Sequence, residues 1–276
     1  MRFAATKRLA ATAFAATLLA GSWPALAGGP LAAHRAVYDI ALKQANDRSG
    51  ITGVAGRMVY EFNGSACEGY TVSFRFVTQI DTNETSRITD QQTTTYEDAA
   101  GKTFSFATKS FVDSRLDREV RGTANIEAGK TNVDLVKPDE TRIELDKTLF
   151  PTQHLVDLLE RASHGETFYE TTIFDGSDGA DQVMTTTVIV GKPDADDKSD
   201  PEKSALGTMG GQKYWPVTIA YFDPEASGGE ELPVYRISFK LYANGITRSI
   251  LMDYGDFSMT GKLVDLSVFD KKGDCG

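Results

Sequence analysis

Ile237-Ser238-Phe239-Lys240-Leu241-Tyr242-Ala243-Asn244-Gly245 decides how the chain is read. Ile237, Phe239 and Leu241 alternate with Ser238, Lys240 and Tyr242, the period of a strand with one face in a core and the other in water. Asn244-Gly245 then stops the run. Both central positions of a type I′ hairpin turn need positive φ, and Asn-Gly is the pair that tolerates it best. A new apolar run begins at Ile246, so the stretch predicts a β-hairpin.

The same signature extends outward in both directions. Val72, Phe74 and Phe76 alternate with Ser73, Arg75 and Val77, and Phe104 and Phe106 flank Ser105. Threonine runs at Thr93-Thr94-Thr95 and Thr185-Thr186-Thr187 suit strand surfaces, where β-branched side chains pack well. Asn63-Gly64, Ala128-Gly129-Lys130 and Tyr254-Gly255-Asp256 are further turn signals. Candidate strands fall near 34–43, 54–62, 69–81, 84–97, 102–110, 115–127, 131–137 and 140–146. Others fall near 166–174, 181–191, 211–222, 231–243, 246–254 and 257–269, about fourteen in all. Short turns between neighbours predict an antiparallel sheet.

Pro151–Ser163 breaks the pattern. Leu155, Leu158, Leu159 and Ala162 recur at helical spacing, Pro151 suits a first turn, and Ser163-His164-Gly165 stops the helix. A lone helix inside a strand-rich chain is expected to plug or cap the sheet. The stretch 191–211 is rich in Pro, Gly, Asp and Ser and reads as a mobile loop, with 226–231 as a second loop.

Residues 1–27 have the form of a cleavable Sec-type leader. Arg2, Lys7 and Arg8 give it a positive start, an apolar run extends from about Leu9 to Ala20, and Ala25-Leu26-Ala27 is a small-x-small cleavage site. The apolar run is shorter than the roughly 20 residues of a spanning helix. Lys7-Arg8 is not the arginine pair of a twin-arginine signal, and no cysteine near the cleavage site invites acylation. The mature chain is therefore expected over 28–276, as one soluble domain in the periplasm with no further membrane span. The leader holds three of the 29 basic residues and none of the 39 acidic ones, so its loss takes the formal charge from −10 to −13. Such a balance disfavours nucleic acid and anionic membrane surfaces as partners.

Cys67 and Cys275 are the two cysteines of the chain. In an oxidising compartment they predict one disulfide that ties the tail to the early strands. Both could instead stay free, or one could pair with a partner protein. They do not form a C-x-x-C motif, which argues against thiol-redox catalysis.

No catalytic, metal or cofactor motif stands out. An EF-hand starting at Asp194 fails at Lys198, Ser199 and Ala205, so the acidic run Asp194, Asp196, Asp197, Asp200 and Glu202 reads as a solvated loop rather than a calcium site. His34, His154 and His164 lack metal-ligand spacing. His154 reads as a core or edge residue, with Asp157 as a candidate hydrogen-bond acceptor at i+3, or as a buried pH-sensitive group. Gly176-Ser177-Asp178-Gly179 lacks nucleophile-elbow spacing and reads as a tight turn.

Four stretches together resemble the EipB-type cell-envelope integrity family of Gram-negative alphaproteobacteria. They are Ala33-His34-Arg35-Ala36-Val37-Tyr38, Cys67-Glu68-Gly69-Tyr70, Phe150-Pro151-Thr152-Gln153-His154 and Met252-Asp253-Tyr254-Gly255-Asp256-Phe257. The resemblance spans the mature chain. It implies a mainly β, periplasmic, antiparallel β-spiral, an open wrapped barrel of about fourteen strands with one or two short helices. It also implies a Cys67–Cys275 disulfide and a role in maintaining the envelope, with no catalytic residues to carry over.

The expected function is non-enzymatic support of envelope integrity by a monomer that binds a periplasmic protein or an envelope lipid, without cofactor or metal. A curved sheet would offer an apolar concavity, occupied or gated by the helix carrying Leu155, Leu158 and Leu159. A plainer alternative makes those leucines simple core. A lipid or lipoprotein carrier with an apolar cavity is the alternative function, and an envelope hydrolase the least favoured.

Overall fold

The computed structural model describes residues 31–177, 179–195, 199–223 and 232–270. The first half is a run of eight strands: β1 (His34–Ala45), β2 (Ile51–Ser65), β3 (Gly69–Thr82), β4 (Ser86–Glu97), β5 (Thr103–Val112), β6 (Arg115–Glu127), β7 (Lys130–Lys137) and β8 (Thr141–Asp146). Helix α1 (Pro151–Ser163) follows, then β9 (Phe168–Ile173), β10 (Met184–Val190), the two-residue β11 (Asp194–Ala195) and the short helix α2 (Lys203–Leu206). The chain ends with β12 (Lys213–Phe222), β13 (Tyr235–Tyr242), β14 (Thr247–Asp253) and β15 (Phe257–Val268).

All fifteen strands join one antiparallel sheet, in the order β8-β7-β6-β5-β4-β3-β2-β1-β15-β14-β13-β12-β10-β9, with β11 added beside β12. The long strands match the sequence reading. The additions, β11 and α2, lie in the stretch read as loop.

The first and last strands lie side by side in the middle of the sheet. Tyr38 of β1 stands opposite Met58 of β2 on one side and Leu263 of β15 on the other. The edges of the unclosed sheet are β8 and β9, the strands on either side of α1 in the chain. The strands nearest the two chain ends thus pair with each other inside the sheet rather than standing at its edges.

Helix α1 spans this break. Its apolar stripe buries Leu158, Leu159 and Ala162 against Tyr169, Val188, Trp215, Val217 and Leu241, in one of three core clusters. Its N-terminus is fixed from the other half of the sheet by the buried Glu97, whose carboxylate accepts from the Thr152 and Gln153 amides, both at 2.8 Å. Those amides have no partner within a helix, and a carboxylate there also meets the positive end of the helix dipole. Just before α1, Leu149 donates to the Thr172 carbonyl and accepts from the Phe174 amide. Phe150 then inserts among Phe104, Phe106 and Phe174, with the Phe104 and Phe150 rings 5.2 Å apart. The break is thus closed by aromatic packing.

Two turn readings change. The Asn244-Gly245 hairpin has a three-residue loop: Tyr242 donates to the Ile246 carbonyl, Gly245 donates to the Tyr242 carbonyl, and Gly245 but not Asn244 has positive φ. The type I′ geometry appears instead at Asp113-Ser114 (φ 49° and 66°) and Ala128-Gly129 (φ 49° and 81°). Asn63-Gly64 is part of β2. Gly64 lies so close to the Gly69 carbonyl that a side chain would collide, and the turn falls one step later, around Cys67.

Candidate functional site

Rolling the sheet around its inner face leaves a cavity of about 520 Å³. Inward positions repeat every second residue, so each strand contributes a short ladder of side chains. Met58, Ile237, Ile250 and Met252 supply an apolar wall, with Phe74 and Phe76 beside them. The facing wall, from β4 to β6, carries Gln91, Thr108, Ser110 and Arg118. Next to it, Thr93 and Thr108 share a hydrogen bond of 3.0 Å, and Thr78 and Thr89 one of 2.6 Å. The cavity is therefore two-faced, hydrocarbon on one side and hydroxyl-bearing on the other.

Aromatic rings flank the apolar wall. Tyr221 and Tyr235 have ring centroids 5.5 Å apart, Tyr235 and Tyr254 4.9 Å, and Tyr254 stacks on Phe257 at 5.0 Å. Burial pushes the Tyr221, Tyr235 and Tyr254 phenols above their ordinary range, so all three stay neutral at any physiological pH.

Ser177 and Asp175 also line the cavity, and Asp175 accepts from the Ser177 amide at 2.9 Å in the predicted turn. No histidine lines it. His34 is buried beside the Ala32 carbonyl, His164 Nδ1 donates to the Glu160 carbonyl at the helix C-terminus, and His154 lies inside the α1 packing. Ser177 therefore has no imidazole base among the residues that line the cavity, and a Ser-His pair is not assembled there. His154 Nε2 meets Thr186 Oγ1 at 3.4 Å, whereas Asp157, its expected partner, bonds Arg161 at 2.9 Å. Burial lowers the His154 pKa to about 4, against a smaller opposing pull from Asp157. Among the described residues no group of His, Cys, Asp or Glu is placed to hold a metal ion, and no helix is long and apolar enough to cross a membrane.

Leu158 and Leu159 are core residues, and Leu155 packs against the same cluster; none of the three lines the cavity. In this position the helix closes the break in the sheet and leaves the cavity open. Cys67 sits exposed in the β2–β3 turn, while Cys275 lies outside the described residues, as does the proposed leader.

A charged cluster that sequence reading missed lies where β14 and β15 part. Their pairing runs from Asp253–Ser258 to Ile250–Gly261 and stops. Beyond it, Ser249 takes a positive φ of 52°, and the Glu202 carboxylate enters the gap. It accepts from the Leu263 amide at 2.6 Å, the Ser249 amide at 3.2 Å and the Ser249 hydroxyl. Arg248, fully buried, donates to Glu202 at 2.8 Å and pairs with Asp200 at 3.0 Å; its Nε donates to the Tyr242 hydroxyl at 2.8 Å. Lys240 completes the cluster with Asp200 at 3.0 Å. Removing one member of such a buried set leaves an uncompensated charge and costs about 3–5 kcal/mol. Asp200 and Glu202 were read as solvated because they sit in an acidic run; the missing clue was Arg248, a cation at the start of a distant strand.

The chain matches the EipB-like family over residues 25–270. It is 53% identical to the cell envelope integrity protein EipB of Brucella abortus (strain 2308), an alignment that covers 98% of this chain and 96% of that protein. A crystal structure of a β-barrel-like protein of the DUF1849 domain of unknown function, also from Brucella abortus, superimposes with a TM-score of 0.83 at 55% identity. That match covers 87% of this chain and 99% of the other.

Proposed function

The chain belongs to the EipB-like family, and from that premise we propose that it supports cell-envelope integrity from the periplasm without catalysing a reaction. Residues 1–27 serve as the cleaved leader and 28–276 form one domain. The domain works by holding an elongated amphiphile, an envelope lipid or the acyl chain of a lipoprotein, in its cavity. The observation that carries this reading is the two-faced lining: an apolar wall of Met58, Ile237, Ile250 and Met252 across from the polar side chains of Gln91, Thr108, Ser110 and Arg118. A volume near 520 Å³ falls within the range of small-ligand sites. A hydrocarbon chain gains from the first wall, and polar atoms along its length or at its head find partners on the second.

Mass spectrometry of the lipids extracted from the purified protein tests it. A stoichiometric single-chain or acylated species is expected from the native chain, and much less from Ile250→Trp, which fills the apolar wall. If the extract is empty and a proteinaceous partner binds with equal strength to both proteins, the cavity is not the working site and a protein scaffold replaces this reading.

A Cys67–Cys275 disulfide would brace the domain. In support, β15 ends beside the start of β1, with Val268 opposite His34, and His34 is opposite Phe62 near the end of β2. The tail thus leaves the sheet at the end where the Cys67 turn lies. Cys67→Ser and Cys275→Ser are expected to show the same loss of stability and the same reductant-insensitive gel mobility; unequal behaviour rejects the pairing.

A further inference from the structure

The seam between β14 and β15 is an unusual way to finish a barrel wall. β15 continues to Val268, paired on its other side with β1, yet after Gly261 it has no β14 partner. In a continuous wall the Leu263 and Ser249 amides would point at carbonyls of a neighbouring strand. Here both are satisfied by one carboxylate brought in on a separate segment. That segment, 200–209, covers the seam. Its Leu206 and Met209 are buried in the same core cluster as Tyr242, Ile246, Ile250, Met252 and Leu263.

The seam adjoins the cavity. The last rung before the strands part is Ile250–Gly261, and Ile250 is itself part of the apolar wall, as is Met252 two rungs earlier. Displacing 200–209 would therefore uncover a lateral slot that begins at a lining residue. The anchoring chemistry suits reversal. Leu263, Ser249 and Arg248 are all donors, and water or a lipid head-group oxygen can take the place of the Glu202 carboxylate at each of them. The opposite break, at α1, is sealed by Phe104, Phe106, Phe150 and Phe174, which water cannot replace.

We propose that 200–209 is a strap that closes a side gate of the cavity, and that the amphiphile passes between β14 and β15 when Glu202 lets go of Leu263 and Ser249. The gate rests on the reading that the cavity holds such a ligand, but the opening of the strap is measurable without one.

Amide hydrogen exchange on the purified protein reads the opening. Leu263 and Ser249 are expected to exchange by a local route whose rate is insensitive to low concentrations of urea, while the adjoining rung amides of Leu251 and Thr260 exchange only with the urea dependence of global unfolding. Glu202→Gln, which keeps the side chain's shape and an acceptor oxygen but loses the charge, is expected to speed Leu263 and Ser249 at least tenfold by the same urea-insensitive route, while the rung amides stay urea-dependent and rise only by the loss of global stability that urea unfolding reads. If Leu263 follows the rung amides in the native protein, the strap does not open and the proposal fails. That arm stands even if the variant does not fold.

Stopped-flow binding of a dansylated undecanoic acid probe then tests the route. The association rate is expected to rise in Glu202→Gln by the factor seen in exchange, with a smaller change in affinity. Faster exchange with an unchanged association rate overturns the gate and leaves the cavity reading intact. No binding to either protein overturns the cavity reading and the gate together.

Discussion

Replacing His154 with glutamine should flatten the acid limb of the stability curve. The imidazole lies 4% exposed within the α1 packing, faced by Thr186 of β10 and, on its own helix, by Asp157, which is engaged by Arg161. Burial holds its folded-state pKa at about 4, against the ordinary 6.5. Because the folded value is depressed, the unfolded chain takes up the proton first as pH falls. The stability of the folded state is whole above pH 6.5, is lost progressively towards pH 4 and changes no further below that. At 1.36 kcal/mol per unit, the span corresponds to about 3 kcal/mol. Glu97 acts in the opposite direction: burial raises its pKa, so its protonation favours the folded state on acidification. Subtracting the variant from the native protein cancels that contribution. Urea unfolding at intervals between pH 8 and pH 4 is the assay. The native-minus-variant difference should be constant above pH 7 and fall by about 3 kcal/mol by pH 4. A difference that stays constant across the range would show that His154 protonates freely in the fold, and the packing argument for α1 would fail with it.

Leu158→Ala removes a side chain 1% exposed at the centre of the helix contact. It should cost about 2–5 kcal/mol in urea unfolding while leaving dansyl-probe affinity unchanged, because the leucine does not line the cavity. A loss of probe binding in a folded Leu158→Ala protein would return the helix to the ligand site. Ala128→Asn places Asn-Gly in the two-residue turn between β6 and β7, where residue 128 is exposed at φ 49°. It should add roughly 0.5 kcal/mol, or about 1–2 °C in thermal midpoint, and a neutral or lower midpoint would refute the type I′ assignment.

The strands were legible because each carries its own evidence. Phe74 and Phe76 face the cavity and Arg75 pairs with Asp90 on the other side, as alternation demands. The helix was equally plain, since the 3.6-residue stripe over Leu155, Leu158, Leu159 and Ala162 has no strand reading. What sequence could not give was anything set by distant pairing. Asn244-Gly245 and Asn63-Gly64 have the composition of tight turns, but the register of the flanking strands decided whether a turn formed and of what type. Ala128 and Ser114 adopt positive φ because two-residue loops between fixed strands require it, against their own preference. Glu202 and Asp200 were misread for the same reason. A charge in a Pro- and Asp-rich stretch is ordinarily solvated, and only the fold brings Arg248 beneath them.

A sheet of this length must deal with its free edges, since unpaired strand edges invite association with other chains. The chain handles its interruptions by different physical means. At the β8 edge, charged side chains on the exposed strand, among them Arg142 and Asp146, discourage a further strand, and Lys130 reaches Asp146 at 2.8 Å. At the β9 edge, Leu149 occupies part of the ladder and the phenylalanine cluster seals the interior. Hydrophobic sealing is non-directional and strengthens with every buried ring, so that break behaves as permanent structure. The β14–β15 seam is closed by directed bonds to the Glu202 carboxylate and by two apolar side chains of the strap, Leu206 and Met209. Such bonds exchange with water at little net cost when the segment as a whole lifts, although losing a single partner inside the closed seam is expensive. A wall packed by four rings at one break and tied largely by directed bonds at the other yields more readily at the tied one, and that place adjoins the apolar side of the cavity.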